Sequence, residues 1–502
     1  MEALFSAVLS DLVGRATSFV IEKCREKATP EEDLQRLRQL VLRIRAIIDE
    51  AEGRSVGNRG MIHQVSAMRN QMFRGYYLLD AFKCREKKGE EVSLCSFAPS
   101  EFNPAKRFRR LSSNTTQIES RVIGGERNKE LKRAILGLES MIADTKEFAI
   151  FLTSYPRMYR QPYSAYLFLN CMFGRHKERE ETISFLLQGE PQGSGNLGVL
   201  PIVGPALIGK STLVEHVCDD ERVRNHFSLI LFCSGKDLKE ETTTTFRDDC
   251  VIKHQNTASD EERSLVIIEL LGDVDQGAWK RLLHSSEGFM TCGSKVIITS
   301  RSEKVVSLGT TEAVRLKCLS KEAFWYFFKT IVFGSTDPDE HPKLTSIAMD
   351  LARDMHGSFM CAHSLAALLR TDLDARLWCR ILSHHREFLR KNTLLFGEYP
   401  EGQKPRYICR LADTQRDSKD RKYFLLDDSY QKGPVAHGEV PGIALVDLVS
   451  GTGGAVPPGR FAIFFWRSLI PPYYSYRHTC ALVQHKNTTV QRKKGTRLHR
   501  RI

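Results

Sequence analysis

The sequence predicts a multidomain protein of the α and α/β classes, with an N-terminal helical bundle, an α/β domain with a parallel sheet, a helical extension and a small β-rich C-terminal module. Three observations predict this. Apolar residues recur every three or four positions along the first 90 residues, as they do on one face of a helix. A buried strand, Val199–Val203, leads through a glycine loop into a helix. From residue 396, short strand-like runs are separated by Gly, Pro and Asp.

Composition limits the possible functions. The 502 residues have room for about three domains, and 41% hydrophobic with 27% charged residues is typical of a soluble globular protein. The net charge is +13, but residues 477–502 carry eight Lys/Arg and no acidic residue, which leaves +5 (13 − 8) for the rest. The small remaining charge argues against nucleic-acid binding by residues 1–476. Residues 477–502 hold much of the positive charge and are expected to form a basic disordered tail.

The cysteines and the apolar runs indicate a compartment. Thirteen cysteines are scattered without a C-x-x-C pair, which argues against both a disulfide framework and a zinc site. No apolar run approaches the roughly 18 residues that span a bilayer, and no cationic signal peptide opens the chain. We therefore expect a protein of the cytoplasm, with the nucleus as a second compartment, that is neither secreted nor membrane-spanning.

Helical patterns fill the N-terminal part. An amphipathic helix is predicted over residues 1–26, and Thr29-Pro30-Glu31-Glu32 has the order of a helix cap before a second one. Further helices are predicted from Met61 to Leu79 and from Leu131 to Ile142, and residues 90–127 are predicted to form a long loop. The wide apolar faces fit either an internal core or a surface for partner helices.

The central motif is Gly204-Pro205-Ala206-Leu207-Ile208-Gly209-Lys210-Ser211-Thr212, which has the pattern of a phosphate-binding loop. Gly204 and Gly209 let backbone N–H groups turn toward phosphate oxygens, and the following helix points the positive end of its dipole at them. Lys210 is expected to reach the β- and γ-phosphates, and the Ser211 hydroxyl is expected to bind Mg²⁺. The alternative is an ordinary glycine loop with a surface lysine.

An acidic residue is expected at the end of a later strand, where a carboxylate faces the phosphates and orients Mg²⁺. The apolar run Leu265–Ile268 ends in Glu269, and Asp273 follows four residues later. Strand length favours Glu269 for this catalytic position. Asp273 takes the position in a second alignment, and both alignments remain open at this point.

Several segments around this loop resemble plant immune receptors with an Rx-type coiled-coil domain and an NB-ARC domain. Gly75–Phe82 lies where that family has its acidic helix motif, here reduced to Asp80. Cys171–Arg175 is similar to the apolar-apolar-Gly-Arg element that precedes the nucleotide-binding domain, and Gly293–Arg301 is similar to a conserved strand of it.

The resemblance implies roles for individual residues. Gly174 and Arg175 would pack on the adenine, Arg301 would sense the γ-phosphate, and the family's Asp-Val…Trp spacing favours Asp273 as the acidic residue and Mg²⁺ ligand. The family's pair of adjacent aspartates is missing, because Leu270 follows Glu269 and Gly272 precedes Asp273. ATP hydrolysis is therefore expected to be weak at most. Phe359 replaces the proline that contacts adenine in the family.

The resemblance also implies an organisation and a function. The expected parts are a coiled-coil bundle (1–88), a linker with an additional helix (89–170), the nucleotide-binding domain (171–312), a helical ARC-like subdomain (313–395), the β-rich module (396–476) and the basic tail (477–502). No leucine-rich repeat period of 20 to 29 residues is present. We expect an ADP/ATP- and Mg²⁺-binding switch in plant defence, which is a helper or a truncated or degenerate member. It would signal through its N-terminal helices, which would bind protein partners, and the protein would be able to self-associate. The alternatives are an active P-loop ATPase of another class, an interaction module that binds no nucleotide, and a basic nucleic-acid-binding protein.

Overall fold

A computed structural model describes most of the chain in two compact units, Met1–Gly357 and Ser358–Ile502. The boundary lies inside the predicted helical subdomain 313–395. The described residues are 29–54, 56–86, 113–156, 172–189, 197–205, 208–234, 250–255, 263–270, 277, 279, 291, 293–396, 406–410, 423–431, 441–445, 447, 460–467 and 475–483. The amphipathic helix predicted over residues 1–26 lies outside them.

Helix α1, Pro30–Glu52, begins and ends where its sequence predicts. The Thr29 side chain accepts a hydrogen bond from the Glu32 backbone N–H (3.3 Å), and the Glu32 carboxylate accepts one from the Thr29 N–H (2.9 Å). This reciprocal capping box satisfies two N–H groups that have no partner inside the helix. The helix ends at Gly53.

Three more helices complete the described bundle: α2 (Arg59–Glu86), α3 (Ser113–Ala143) and α4 (Thr145–Thr153). Their shared core is apolar and includes Leu37, Ile44, Val65, Met72, Leu131, Leu138 and Phe148. The loop predicted over residues 90–127 is wrong from residue 113 onward, because α3 begins there. No apolar period marks residues 113–127, so periodicity could not reveal this helical extension.

A six-stranded sheet in the order β3-β2-β4-β5-β1-β6 forms the middle of the first unit. Its strands are β1 (Gly198–Val203), β2 (Leu229–Ser234), β3 (Cys250–Gln255), β4 (Ser264–Leu270), β5 (Lys295–Ser300) and β6 (Val314–Arg315). All neighbours pair in parallel except β2 and β3. Strands β1 and β5 are buried along their whole length, as expected for a parallel sheet covered on both faces.

Helices lie before, between and after the strands of this sheet in the sequence. They are α5 (His176–Leu187), α6 (Lys210–Cys218), α7 (Glu221–His226), α8 (Lys321–Phe333) and α9 (Pro342–Asp354), with a 3₁₀ helix at Glu303–Leu308. Helix α8 follows the side-chain cap of Ser320, whose hydroxyl accepts from the Ala323 N–H. The predicted combination of helical bundle and α/β domain is thereby confirmed.

The cysteine expectation is wrong at one place. Cys233 in β2 and Cys250 in β3 form a disulfide, with their Cα atoms 4.4 Å apart and their positions directly opposite in the strand pairing. The two residues are 17 positions apart in the sequence, so no short C-x-x-C spacing announces the pair. Cys84, Cys218, Cys318, Cys361 and Cys379 are free thiols.

The second unit contains helices α10 (Phe359–Leu369) and α11 (Ala375–Phe396) and a five-stranded sheet in the order β7-β8-β11-β10-β9. The strands are β7 (Arg406–Arg410), β8 (Tyr423–Gln431), β9 (Gly442–Ala444), β10 (Arg460–Arg467) and β11 (Ser475–Val483). Strand β11 crosses the predicted module-to-tail boundary at residue 476, because it pairs with both β8 and β10. Residues 484–502 of the predicted tail lie outside the described residues.

Within the described part of the chain, no helix has both the length and the apolarity that crossing a membrane requires.

Candidate functional site

The loop between β1 and α6 has the backbone of a phosphate-binding loop. Gly209 precedes α6 with φ of 95°, a left-handed conformation that L side chains rarely adopt. At Gly204 an added Cβ would lie 2.6 Å from the Leu316 carbonyl oxygen, so the loop passes very close to the chain beyond β6. Both glycines of the motif are therefore required by geometry. Ala206 and Leu207 lie outside the described residues.

Replacing Gly204 by alanine is expected to destabilise the first unit by about 1 to 3 kcal/mol, the usual cost of overpacking. The contact is with backbone, which cannot rotate away as a side chain would. Thermal unfolding of the purified variant checks this. The matched control is Gly189→Ala, because a Cβ there meets nothing within 4 Å. Equal unfolding midpoints for the two variants would contradict the close approach.

Lys210 is the first residue of α6, and its ammonium group folds back onto the loop. Its Nζ donates to the carbonyl oxygens of Gly204 and Pro205, both at 2.7 Å. The pKa of Lys210 is lowered to about 8, mainly because burial desolvates the ammonium group and also because the Arg301 guanidinium is nearby, while the Glu269 carboxylate opposes the shift. Two cations held close together beside a helix N-terminus form a site that favours a polyanion.

Arg301 immediately follows β5, and Glu269 is the penultimate residue of β4. Parallel strands place their carboxyl ends at one edge of the sheet, so both residues lie at the edge where β1 enters the loop. The structure thus brings Lys210, Arg301 and Glu269 together. The sequence analysis expects Lys210 and Arg301 here, and it expects Glu269 in one of the two alignments of the strand.

The Ser211 hydroxyl donates to the Glu269 carboxylate at 3.0 Å. A hydroxyl and a carboxylate in contact supply the oxygen ligands that Mg²⁺ prefers. The strand-length alignment therefore has a geometric basis in this structure, whereas Asp273 lies outside the described residues and its role stays a prediction. Thr212 lies in the first turn of α6, next to Ser211.

The Gly-Arg element packs beside the loop. Gly174 has φ of 72°, and a Cβ there would lie 2.8 Å from Leu319 Cδ2. Met172, two residues earlier, approaches Gly209 of the loop, because its Cε would lie 3.1 Å from a Cβ placed there. The element therefore lies directly against the end of the phosphate-binding loop.

Arg175 is 3% exposed, and its guanidinium group connects the Gly-Arg element to neighbouring parts of the chain. Its Nη2 donates to the Lys317 carbonyl oxygen (2.6 Å), and its Nη1 lies 3.2 Å from a Glu178 carboxylate oxygen. Its Nε has no hydrogen-bond partner among the described residues. Buried polar atoms normally have partners, so this N–H is a candidate donor to a bound group.

Sequence reasoning missed an aromatic cluster that joins the bundle to this element. Phe173, next to Gly174, lies with its ring centroid 5.3 Å from Phe73 of α2 and 5.4 Å from Phe327 of α8. Tyr326 of α8 completes the cluster at 5.0 Å from Phe73. The sequence does contain aromatic residues in two predicted helices, but only the fold shows that these side chains contact one another.

Asp80 anchors the same contact between α2 and α8. It is 6% exposed and accepts hydrogen bonds from Trp325 Nε1 (2.8 Å) and Lys329 Nζ (2.6 Å). The Lys329 side chain is itself only 15% exposed. The acidic residue singled out by resemblance is thus a buried ion-pair partner that holds α2 on α8.

The residues fit a magnesium nucleotide. The loop supplies backbone N–H groups at the start of α6, Lys210 and Arg301 supply positive charge, and Ser211 with Glu269 supplies oxygen ligands. Among the described residues, no cluster of three or more His, Cys, Asp or Glu forms a separate metal site.

The chain is similar in sequence to known proteins. Residues 175–338 match the family model of the NB-ARC domain. The disease resistance protein RGA2 of Solanum bulbocastanum is 23% identical over 365 residues, which cover 69% of this chain and 35% of that protein. The putative disease resistance RPP13-like protein 1 of Arabidopsis thaliana is 23% identical over 413 residues, which cover 76% of this chain and 37% of that protein.

Among solved structures, domain III of the Thermotoga maritima replication initiation protein DnaA matches with a TM-score of 0.28 and 14% identity, covering 45% of this chain and 98% of that chain. The chain spans little more than a third of the length of the two curated relatives. Their likeness reaches well beyond the NB-ARC match, since it covers more than two thirds of this chain. Residues 175–338 are an NB-ARC domain, and the chain that carries them is a homologue of plant disease resistance proteins.

Proposed function

We propose that the chain is a plant defence protein that acts as an ADP/ATP-binding switch in the cytoplasm. The observation that carries the proposal is the convergence of Lys210, Ser211, Glu269 and Arg301 at one edge of the sheet. This arrangement combines charge for phosphates with oxygen ligands for Mg²⁺. The similarity to disease resistance proteins supports the defence role.

The proposed nucleotide lies with its phosphates on the loop and its base toward Gly174 and Arg175. The contact of Met172 with Gly209 supports this orientation, since it places the Gly-Arg element at the end of the loop. The Arg175 Nε supplies a further donor on that side. Mg²⁺ would be held by Ser211 and Glu269, with Asp273 as a further proposed ligand.

A nucleotide shifts a conformational equilibrium only through different affinities for the two states. Arg301 supplies such a difference, because a bidentate guanidinium contact with a γ-phosphate is available to ATP and not to ADP. The proposed output is the docking of α2 on α8 through Asp80 and the Phe173 cluster. Release of α2 would free helices of the bundle for protein partners or a second copy.

Hydrolysis is proposed to be weak at most. Glu269 is the carboxylate that the described site provides next to Ser211, and it is engaged by the serine hydroxyl. A base that activates water must also reach the γ-phosphate side of the site. The slow step of the switch would then be exchange of nucleotide.

Hydrogen exchange in the presence of ADP or a non-hydrolysable ATP analogue tests the switch. We expect peptides from α2 around Asp80 to exchange at least about fivefold faster with the ATP analogue, the lower end of typical coupling between sites. The Lys210→Ala variant should show no difference between the two nucleotides. Equal exchange of α2 in wild-type protein saturated with either nucleotide would contradict the switch.

The affinity for ADP is expected to fall about tenfold between pH 7 and pH 9. In the free protein the pKa of Lys210 is about 8, so the ammonium is charged below this pH and neutral above it. Phosphates favour the charged form, so binding above pH 8 must be accompanied by proton uptake. Titration calorimetry at several pH values measures this, and Lys210→Arg should flatten the profile because arginine stays charged. A flat wild-type profile would mean that Lys210 does not contact the phosphates.

A further inference from the structure

The disulfide Cys233–Cys250 joins the edge strand β3 to β2. The two residues are directly opposite each other, and their Cα atoms are 4.4 Å apart. This distance is typical of the closer, non-hydrogen-bonded pairs of antiparallel strands, whose side chains face each other. Cys233 is 7% exposed, and Cys250 is partly exposed.

Strand β3 is weakly held apart from this bond. Among the described strands it is the last of its sheet, pairs with β2 alone and is the antiparallel member. Val251 and Ile252 are 61% and 50% exposed, so apolar burial contributes little to its docking. Edge strands with few buried contacts are regions that open locally at low free-energy cost.

Strand β3 nevertheless provides a charged side chain that contacts α6, the helix of the proposed nucleotide site. The pairing shifts between Ile230 and Leu231, so Lys253 is an additional residue of β3 that forms a bulge. Lys253 Nζ lies 3.2 Å from a Glu215 carboxylate oxygen and 5.3 Å from the centre of the Phe232 ring. Glu215 is a buried residue of α6, the helix that begins at Lys210.

We propose that Cys233 and Cys250 are a reversible redox site that controls the docking of β3 and, through Lys253, the helix of the phosphate-binding loop. The disulfide closes the chain across β2 and β3 and keeps Lys253 against Glu215. In the dithiol form β3 keeps its strand pairing and the Lys253–Glu215 ion pair but has no covalent link to β2, so it opens more often. The effect on α6 rests on the proposed nucleotide-binding function; the redox response of β3 does not.

The chemistry is thiol–disulfide exchange with glutathione disulfide as the oxidant. One cysteine thiolate attacks a sulfur of glutathione disulfide, which breaks its S–S bond, forms a mixed disulfide and releases one glutathione. The second cysteine thiolate attacks the mixed disulfide, which forms the Cys233–Cys250 bond and releases the second glutathione. The two thiol protons end on the two glutathione molecules. A dithiol reductant reverses both steps.

The neighbouring thiol on α6 is unsuited to this exchange. Cys218 is buried, and desolvation raises its pKa well above the usual value, with Glu215 and Asp219 adding to the shift. The thiolate is the reactive form, so Cys218 is expected to remain inert. The exposed Cys318 lies elsewhere in the unit and provides a matched control.

The test treats the purified full chain with glutathione disulfide or with dithiothreitol. Mass spectrometry without reduction then identifies linked peptides, and hydrogen exchange compares residues 250–255 and α6 in the two forms. We expect a Cys233–Cys250 linkage in the oxidised protein and at least about fivefold slower exchange of β3 there. Cys250→Ser should abolish the difference between oxidised and reduced protein, and Cys318→Ser should leave it as in wild type.

ADP affinity measured on the same samples separates the two proposals. We expect reduction to weaken ADP binding about two- to fivefold, the range of a partly exposed ion pair. No linkage, or equal exchange of β3 in both forms, would overturn the redox site. A β3 response with unchanged ADP affinity would overturn its link to α6. A β3 response in a protein that binds no ADP in either form would overturn the nucleotide-binding function and leave the redox site intact.

Discussion

Replacing Lys210 by alanine is expected to weaken ADP binding by roughly 2 to 5 kcal/mol, about thirtyfold to several thousandfold. The ammonium group donates to the Gly204 and Pro205 carbonyl oxygens of the loop, where the proposed function places the phosphates. Truncation removes these charge-assisted donors and leaves Arg301 as the remaining cation that acts on this position. Titration calorimetry with ADP and Mg²⁺ measures the loss.

Lys304→Ala is the matched control for Lys210→Ala. Lys304 is an exposed residue of the 3₁₀ helix that follows β5, so its removal lowers the net charge of the same domain by the same amount. The control is expected to change ADP affinity by less than about threefold, the scale of an exposed charge. Similar losses in both variants would indicate a general charge effect and would contradict a specific phosphate contact.

Asp80→Asn is expected to destabilise the docking of α2 on α8 by about 3 to 5 kcal/mol. The substitution keeps the size of the side chain and removes the charge that pairs with Lys329 at 2.6 Å. Lys329, whose side chain is only 15% exposed, would then lose its carboxylate partner, and this uncompensated charge is the main cost. Urea unfolding followed by tryptophan fluorescence detects the change, because Trp325 donates to the same carboxylate.

The same contact region contains an exposed ion pair for comparison. Lys83 of α2 lies 2.6 Å from Asp339, but the two side chains are 36% and 53% exposed. Solvent screens such a pair, so Asp339→Asn is expected to cost less than about 1 kcal/mol. If Asp339→Asn destabilised the protein as much as Asp80→Asn, burial would not be what makes the Asp80 contact strong.

Local sequence patterns predicted the parts of the fold that depend on local chemistry. The capping box at Thr29 and the seam of α1 follow from side chains three and four residues apart. The phosphate-binding loop and the buried strands that flank it follow from glycine positions and continuous apolar runs. In each case the residues that determine the element are its own neighbours in the chain.

Features made by distant residues could not be predicted in this way. Asp80 and Trp325 are 245 positions apart, and Cys233 meets Cys250 only because β3 turns back against β2. The acidic residue of the site shows the same limit. The residue spacing of the family that the sequence resembles favoured Asp273, whereas the 3.0 Å contact between Glu269 and Ser211 supports Glu269. That contact depends on how β4 lies beside the loop.

The most direct test of the account identifies the nucleotide that the protein carries. The chain is purified from plant tissue, denatured, and the released small molecules are separated by chromatography, with Lys210→Ala treated in parallel. We expect close to one ADP per chain in the wild type and a strong loss in the variant. A folded wild-type protein that releases no nucleotide, or a variant that releases as much as the wild type, would contradict nucleotide binding at the Lys210 loop.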